Sequence, residues 1–280
     1  MRSAKVAIVK GQSPKLMVKR SLELIGANEL VASKDRVLIK PNYICAKHPS
    51  TGVTTDSEVV EALIEFLKER GCREITVGDG GSGDTDRVFD VVGIRQVAAR
   101  HGVRLVDLNG DERVEVSVPN ALALHKVSIA KTVLESTCII NVPKLKVHHM
   151  ALVTLCIKNL MGAVLPKSII HSQLDERLAD LASLIRPRFN LIDGIIGSEL
   201  DEEDGKPVRM DLLISGRDIV ATDAVGSAVM GVDPKRVRYL SLAEGKGVGT
   251  GDLTKIKILG RPIEKVKKRF RLPDAFEQAS

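Results

Sequence analysis

The run Ile139-Ile140-Asn141-Val142 does most to limit what this chain can fold into. It is too short for a helix and rich in β-branched residues, so it reads as a buried strand, and Pro143 then stops its hydrogen-bond ladder. Lys144, Lys146, His148 and His149 follow directly. From Met150 to Leu160, the spacing of Leu152, Leu155, Cys156 and Leu160 predicts a helix, with Lys158 and Asn159 in its last turn before Gly162. One loop and one helix would therefore carry five side chains able to donate to an anion.

Segments before and after this stretch alternate in the manner of a parallel sheet with crossover helices. Lys5 to Lys10 predicts a first strand, and Leu16, Val18, Leu22, Leu24 and Ile25 predict a helix ending at Gly26. A second strand, Arg36 to Lys40, stops at Pro41 and leaves Lys40 and Asn42 at its carboxyl end, the edge where open parallel sheets bind ligands. In the loop that follows, Thr55-Asp56-Ser57-Glu58 fits a capping box, and Thr54 just upstream is a ligand candidate. A third strand leads into Gly78-Asp79-Gly80-Gly81-Ser82-Gly83, where Asp79 stands at the same edge. That run satisfies G-x-G-x-x-G, and Asp107 at the next strand end lies at a tolerable distance for a ribose ligand, so a nicotinamide-dependent oxidoreductase is an alternative reading.

The pattern changes between residues 111 and 131. Two short alternating runs separated by Pro119-Asn120 predict a β-ribbon lobe inserted into a single α/β domain spanning residues 1–262, with a charged tail at 263–280. Further on, His171 stands just before a helical stripe of Leu174, Leu178, Leu181 and Leu184, outside its apolar face. Asp193 ends an apolar strand, so it needs either a lysine or a bound cation as partner. The acids from Glu199 to Asp204 read as a solvated loop, and the basic residues from Lys265 to Arg271 as a solvated helix face.

Composition narrows the function. No Trp, two Tyr and five Phe leave few aromatic faces for stacking bases, so the net charge of +6 is a poor argument for nucleic acid. No apolar run approaches the ~20 residues of a membrane span, and the N-terminus enters a strand without a charged-then-apolar leader, so a cytoplasmic protein is expected. Four Gln among many Lys, Arg and Glu point to a thermophilic source. Cys45, Cys72, Cys138 and Cys156 form no C-x-x-C unit, which argues against a local zinc or iron–sulfur site.

Lys40-Pro41-Asn42, Thr51-Gly52-Val53-Thr54-Thr55, Pro143-Lys144-Leu145-Lys146-Val147-His148, Lys158-Asn159-Leu160-Met161-Gly162, Asp193-Gly194 and Asp223-Ala224 follow one another as they do in the DUF362 family, which the chain resembles from about Lys5 to Gly260. The family is named for an unknown function. Many relatives carry an appended ferredoxin-like segment that is absent here, so the resemblance implies a ferredoxin-type redox partner and no intrinsic iron–sulfur cluster. The order His148, Lys158, His171 is also similar to the lactate racemase catalytic domain, where the lysine carries a nickel-pincer nucleotide and histidines serve as metal ligand and acid–base groups. That similarity implies a divalent metal or nickel-type cofactor, although Thr154-Leu155-Cys156-Ile157 stands where the racemases have a glycine-rich run. An unbroken helix would put Lys158 about 15 Å from His148, by the ~1.5 Å rise per residue.

These readings combine into one expectation. A small anionic substrate, carboxylate or phosphate, is held by Lys40, Asn42, Thr54, Asp79, Lys144, Lys146 and Asn159, while His148 and Lys158 move a proton or hydride beside it. His171 and Asp193 are the candidate metal ligands. The competing class is a non-catalytic partner of a ferredoxin.

Overall fold

The computed structural model describes residues 4–277; of the predicted charged tail, residues 278–280 lie outside the described residues. The first half of the chain runs β1 (Ala4–Lys10), α1 (Pro14–Ile25), β2 (Arg36–Pro41), α2 (Ser57–Glu69), β3 (Glu74–Asp79), α3 (Thr85–Val91), α4 (Ile94–His101) and β4 (Arg104–Asp107). Local chemistry sets these boundaries. Ser13 caps α1 ahead of Pro14, and Gly26 closes the helix in the left-handed region at φ 67°. The cap of α2 is Asp56, whose carboxylate accepts from Glu58 N, and Thr55 is used elsewhere.

Next come β5 (Arg113–Ser117), β6 (Lys126–Ala130), α5 (Lys131–Glu135), β7 (Cys138–Val142), β8 (Lys144–His148), β9 (Leu152–Thr154), α6 (Cys156–Asn159), β10 (Val164–Leu165), α7 (Ser168–His171) and α8 (Leu174–Leu184). The chain finishes with β11 (Phe189–Glu199), β12 (Lys206–Gly216), α9 (Ile219–Val229), α10 (Arg238–Gly245) and β13 (Ile256–Gly260).

The large sheet has the order β13-β1-β12-β11-β7-β2-β3-β4. From β11 to β4 every pairing is parallel, and β12 runs antiparallel between β1 and β11. Adjacent residues of β2 feed different cores: Val37 and Ile39 pack with Leu63, Val77 and Ile140, whereas Leu38 packs with Leu155, Ile192 and Val225. A strand with both faces buried needs helices on both sides, and the sheet has them. The predicted mostly parallel α/β architecture is the observed one. From β2 the chain winds one way, to β3 and β4, and from β7 the other way, to β11, so the sheet changes winding direction between β2 and β7. Crevices at such a point, outside the carboxyl strand ends, are where open α/β sheets take ligands.

The region from 111 to 131 forms the expected antiparallel ribbon, β5 with β6, and β10 adds a third strand. It does not stand apart. Val118, Leu124, Val127 and Ile129 belong to the same core as Leu155 and Leu178, and buried Asp180 of α8 accepts hydrogen bonds from Leu122, Ala123 and Leu124 N.

Three local expectations fail. Met150 to Leu160 is not one helix: β8 turns back through Met150 and Ala151 into β9, with Val147 opposite Val153 and His148 opposite Leu152. The apolar spacing fits a helix, but a two-sided buried hairpin uses the same residues, and only four residues of α6 remain helical. β7 does end at Val142, just before Pro143, but no loop follows it. The chain continues extended as β8, and Pro143 O accepts from Asp193 N. The basic tail is not a helix over residues 266–271, although its lysines and arginines are exposed: Phe270 and Val266 are buried, and Lys268 N and Phe270 N bond to Val229 and Met230 carbonyls.

Candidate functional site

The carboxyl ends of β2 and β3, the β8–β9 hairpin, α6 and α7 surround a cavity of about 280 Å³. Its polar lining is Asn42, Asp79, Ser82, Lys146, His148, His149, Thr154, Lys158, Asn159, Lys167, His171, Glu202 and Glu203. The hairpin brings His148 and Lys158 into this one cavity, which the longer helix would have kept apart. Asn42, Asp79, Lys146, Asn159 and His171 join them there. Lys40, Thr54, Lys144 and Asp193 do not line it, because each is satisfied elsewhere.

The four buried lysines have different surroundings. Lys144 Nζ lies 2.7 Å from Asp193 Oδ2, and both side chains are inaccessible to solvent. Asp193 also accepts from Asp56 N and Ile195 N, so its lysine is the partner that an apolar strand end demanded, and no carboxylate face is left for a cation. Lys40 Nζ pairs with Asp79 Oδ1 at 2.5 Å, while Asp79 Oδ2 accepts from Tyr43 N. Thr54 Oγ1 donates to Lys47 O. Lys146 Nζ donates to two carbonyls, Val53 O and Glu202 O, each at 2.9 Å. Lys158, 9% exposed, has no hydrogen-bond or ion-pair partner among the described residues. Burial lowers the pKa of both Lys146 and Lys158 to about 8; Lys158 adds to the effect on Lys146, and Glu202 and Glu203 oppose it.

Close packing needs the small residues here. A Cβ on Gly162 would meet Asp79 Oδ1 at 2.2 Å and Lys40 Nζ at 2.6 Å. A Cβ on Gly81 would meet Tyr43 O at 2.4 Å, so the glycine run after β3 serves backbone contact with the β2 loop. The N-terminus of α3 beyond it is capped by the Asp84 carboxylate, and Asp107 is engaged by Thr85 Oγ1 and Asn109 N. An acidic cap opposes a pyrophosphate, and the dinucleotide fingerprint is not supported by its context.

His148 is held in one tautomer. Its Nδ1 accepts from Met150 N at 3.0 Å and Ala151 N at 3.3 Å, which leaves the hydrogen on Nε2, 3.6 Å from Glu202 Oε1. Burial, with Lys158 and His149 nearby, drives its pKa far down, so it stays neutral. The acid–base role expected for His148 does not suit this geometry, because neither ring nitrogen is free to take a proton. A metal bridging His148, His149 and Glu202 does not fit for the same reason, and His149 Nδ1 already meets Glu202 Oε1 directly. One consequence is measurable. Because the folded pKa lies below the ordinary 6.5, the unfolded chain takes up the proton first and stability falls as pH drops below 6.5. This group alone should remove about 1.5 kcal/mol between pH 6.5 and 5. In His148→Asn, whose amide oxygen still accepts from the turn, urea denaturation should show that slope reduced by this amount; an unchanged slope would mean that His148 does not titrate on unfolding.

The segment before Lys158 is equally committed. Cys156 N and Ile157 N donate to the two oxygens of Asp223, which lies buried in α9. Burial raises that carboxyl to about 7, against its hydrogen bonds to Cys156 and Ile157. No free N–H cradle for phosphate precedes Lys158, so a nucleotide-bearing nickel cofactor does not fit this segment.

A chain of buried amides runs inward from the cavity, which Asn42 and Asn159 line. Asn42 Nδ2 donates to Asn159 Oδ1, Asn159 Nδ2 to Asn141 Oδ1, Asn141 Nδ2 to Asn190 Oδ1, and Asn190 Nδ2 to Gly216 O. At its outer end Asn42 Oδ1 accepts nothing among the described residues.

The acids Glu202 and Glu203 and the cation Lys167 were missed as site residues. The hairpin loop between β11 and β12 looks like any solvated acidic turn in sequence, and only the fold lays it over β8. Lys167 Nζ reaches Asn109 Oδ1 across the cavity. Spacing held no sign of either contact.

Residues 37–228, more than half of the chain, match the domain of unknown function DUF362. The chain belongs to the DUF362 family. The motifs that line the cavity, from Asn42 to Gly162, lie inside the matched region. This DUF362 chain is similar to the thylakoid-associated protein sll1697 of Synechocystis sp. (strain ATCC 27184 / PCC 6803 / Kazusa), 25% identical over 259 residues that cover 89% of this chain and 79% of that one. Among solved structures, the lactate racemase apoprotein from Thermoanaerobacterium thermosaccharolyticum superposes with a TM-score of 0.43 at 14% identity, over 79% of this chain and 57% of its own. The chain thus spans little more than half the length of that racemase. Among the described residues, no helix is long and apolar enough to cross a membrane.

Proposed function

We propose that this DUF362 protein is an enzyme that binds a small carboxylate or phosphate in the cavity and moves a proton beside it. The observation that carries the reading is Lys158, an ammonium almost wholly buried, facing the cavity, without a counter-ion among the described residues. A buried charge needs a partner, and a bound anion supplies one. Lys146, fixed by two carbonyls, keeps one N–H for the same ligand. His148 Nε2–H is a further donor toward the cavity.

Two amines with a pKa near 8 exchange protons readily at neutral pH, which suits a general base or acid. Fixed donors in a cleft shielded from water stabilise negative charge that develops on oxygen during proton removal next to a carboxylate. Four cysteines without a disulfide fit a reducing compartment such as the cytoplasm.

Oxalate, lactate and phosphate, tested singly by differential scanning fluorimetry, should include at least one that raises the melting temperature of the wild type and leaves Lys158→Met unchanged. NAD should shift neither. Equal protection of both proteins by every anion would mean that binding occurs elsewhere and would overturn the reading.

A further inference from the structure

We propose that Lys158 is a nucleophile that condenses with the carbonyl of a small 2-oxo acid to form an imine, the acid's carboxylate being held by the neighbouring cavity donors. The inference rests on the reading above and narrows its substrate class. Its basis is the contrast among the four buried lysines. Lys40 and Lys144 each hold a carboxylate within 2.7 Å and lie outside the cavity lining, so their lone pairs are unavailable. Lys146 is tied to two carbonyls. Lys158 alone is a primary amine with its end free in the cavity, at the mouth of α6, whose backbone Asp223 pins from behind.

An amine needs a neutral nitrogen to attack, and a desolvated lysine beside another cation meets that need. Burial provides the first condition and Lys146 the second. The carboxylate then has the free N–H of Lys146, His148 Nε2–H and Lys167 as partners, and a cavity of about 280 Å³ suits an acid of a few carbons.

The step balances without an oxidant or reductant. Lys158 Nζ forms a bond to the carbonyl carbon as the π pair moves to oxygen, which takes a proton from the Lys146 ammonium. The nitrogen then gives a proton back to Lys146, the C–O bond breaks, and the hydroxyl leaves as water once protonated from Lys146 or solvent. Net, amine, carbonyl and one proton become a protonated imine and water. The imine draws electrons from the adjacent carbon, so its C–H proton becomes removable, which is the proton movement assigned to this site.

The test is reductive trapping of the full chain with borohydride in the presence of glyoxylate, pyruvate or 2-oxoglutarate. With at least one acid, intact mass should rise by the acid less one oxygen atom, and peptide sequencing should place the adduct on Lys158. Lys158→Arg, checked by circular dichroism to be folded, should lose the adduct. Absence of an adduct on Lys158 with all three acids, or adducts spread equally over exposed lysines in both proteins, overturns the proposal. If oxalate still protects the wild type and not Lys158→Met while trapping fails, the anion site stands and the imine falls.

Discussion

Replacing Lys158 with Met should make the protein more stable while removing its response to anions. With a pKa near 8 in the fold against 10.5 in the unfolded chain, the wild-type ammonium is held at pH 7 against a desolvation penalty. That shift corresponds to roughly 3 kcal/mol, which the thioether of Met, of similar length, does not incur. The variant also removes a repulsive charge from Lys146, which adds to the gain. The sign of the pH dependence follows. The wild-type penalty is full below pH 8 and is relieved as pH climbs toward 10.5, so the stability gap between the two proteins should close over that interval. Urea titrations at pH 7 and pH 10 measure both. A variant no more stable than wild type at pH 7 would show that Lys158 already has a partner. A site residue that destabilises its own fold is the pattern expected where function sets the residue.

Lys144→Met should do the opposite and destabilise the protein by about 3–5 kcal/mol, the usual result of stripping one partner from a buried ion pair. Asp193 would remain wholly buried with only Asp56 N and Ile195 N as donors. Lys144→Met with Asp193→Asn should recover part of the loss, because the amide carries no buried charge and its one oxygen still accepts from one of those two N–H groups. A single variant within 1 kcal/mol of wild type, or a double variant no better than the single, would contradict the pairing drawn here. Lys144 and Lys146 stand two residues apart in β8, yet their environments differ completely.

That difference shows where sequence reading reaches its limit. Strands of β-branched residues stopped by Gly or Pro are local signals, and β1, β2, β3 and β7 lie where such signals place them. Helix caps are also local, as Ser13 and Gly26 show. The β8–β9 hairpin was not legible because Leu152, Leu155, Cys156 and Leu160 fit a helix as well as a two-sided buried turn, and tertiary packing chose between them. Lys144 and Lys146 are alike in sequence. Only the segment that arrives 49 to 56 residues later gives one of them the carboxylate of Asp193 in β11 and the other the carbonyl of Glu202 in the loop after it. Charge pairing over such distances leaves no local pattern to read.

The buried asparagine chain has a consequence for how this cavity can change over time. Each amide gives its N–H to the oxygen of the next, from Asn42 through Asn159 and Asn141 to Asn190 and the Gly216 carbonyl, so the chain points one way. Turning one amide around, or swapping one for aspartate, sets oxygen against oxygen or hydrogen against hydrogen at the next link, with no water to intervene. A change at one of the four therefore calls for a matching change at its neighbour, and paired substitutions along the chain should be tolerated better than single ones.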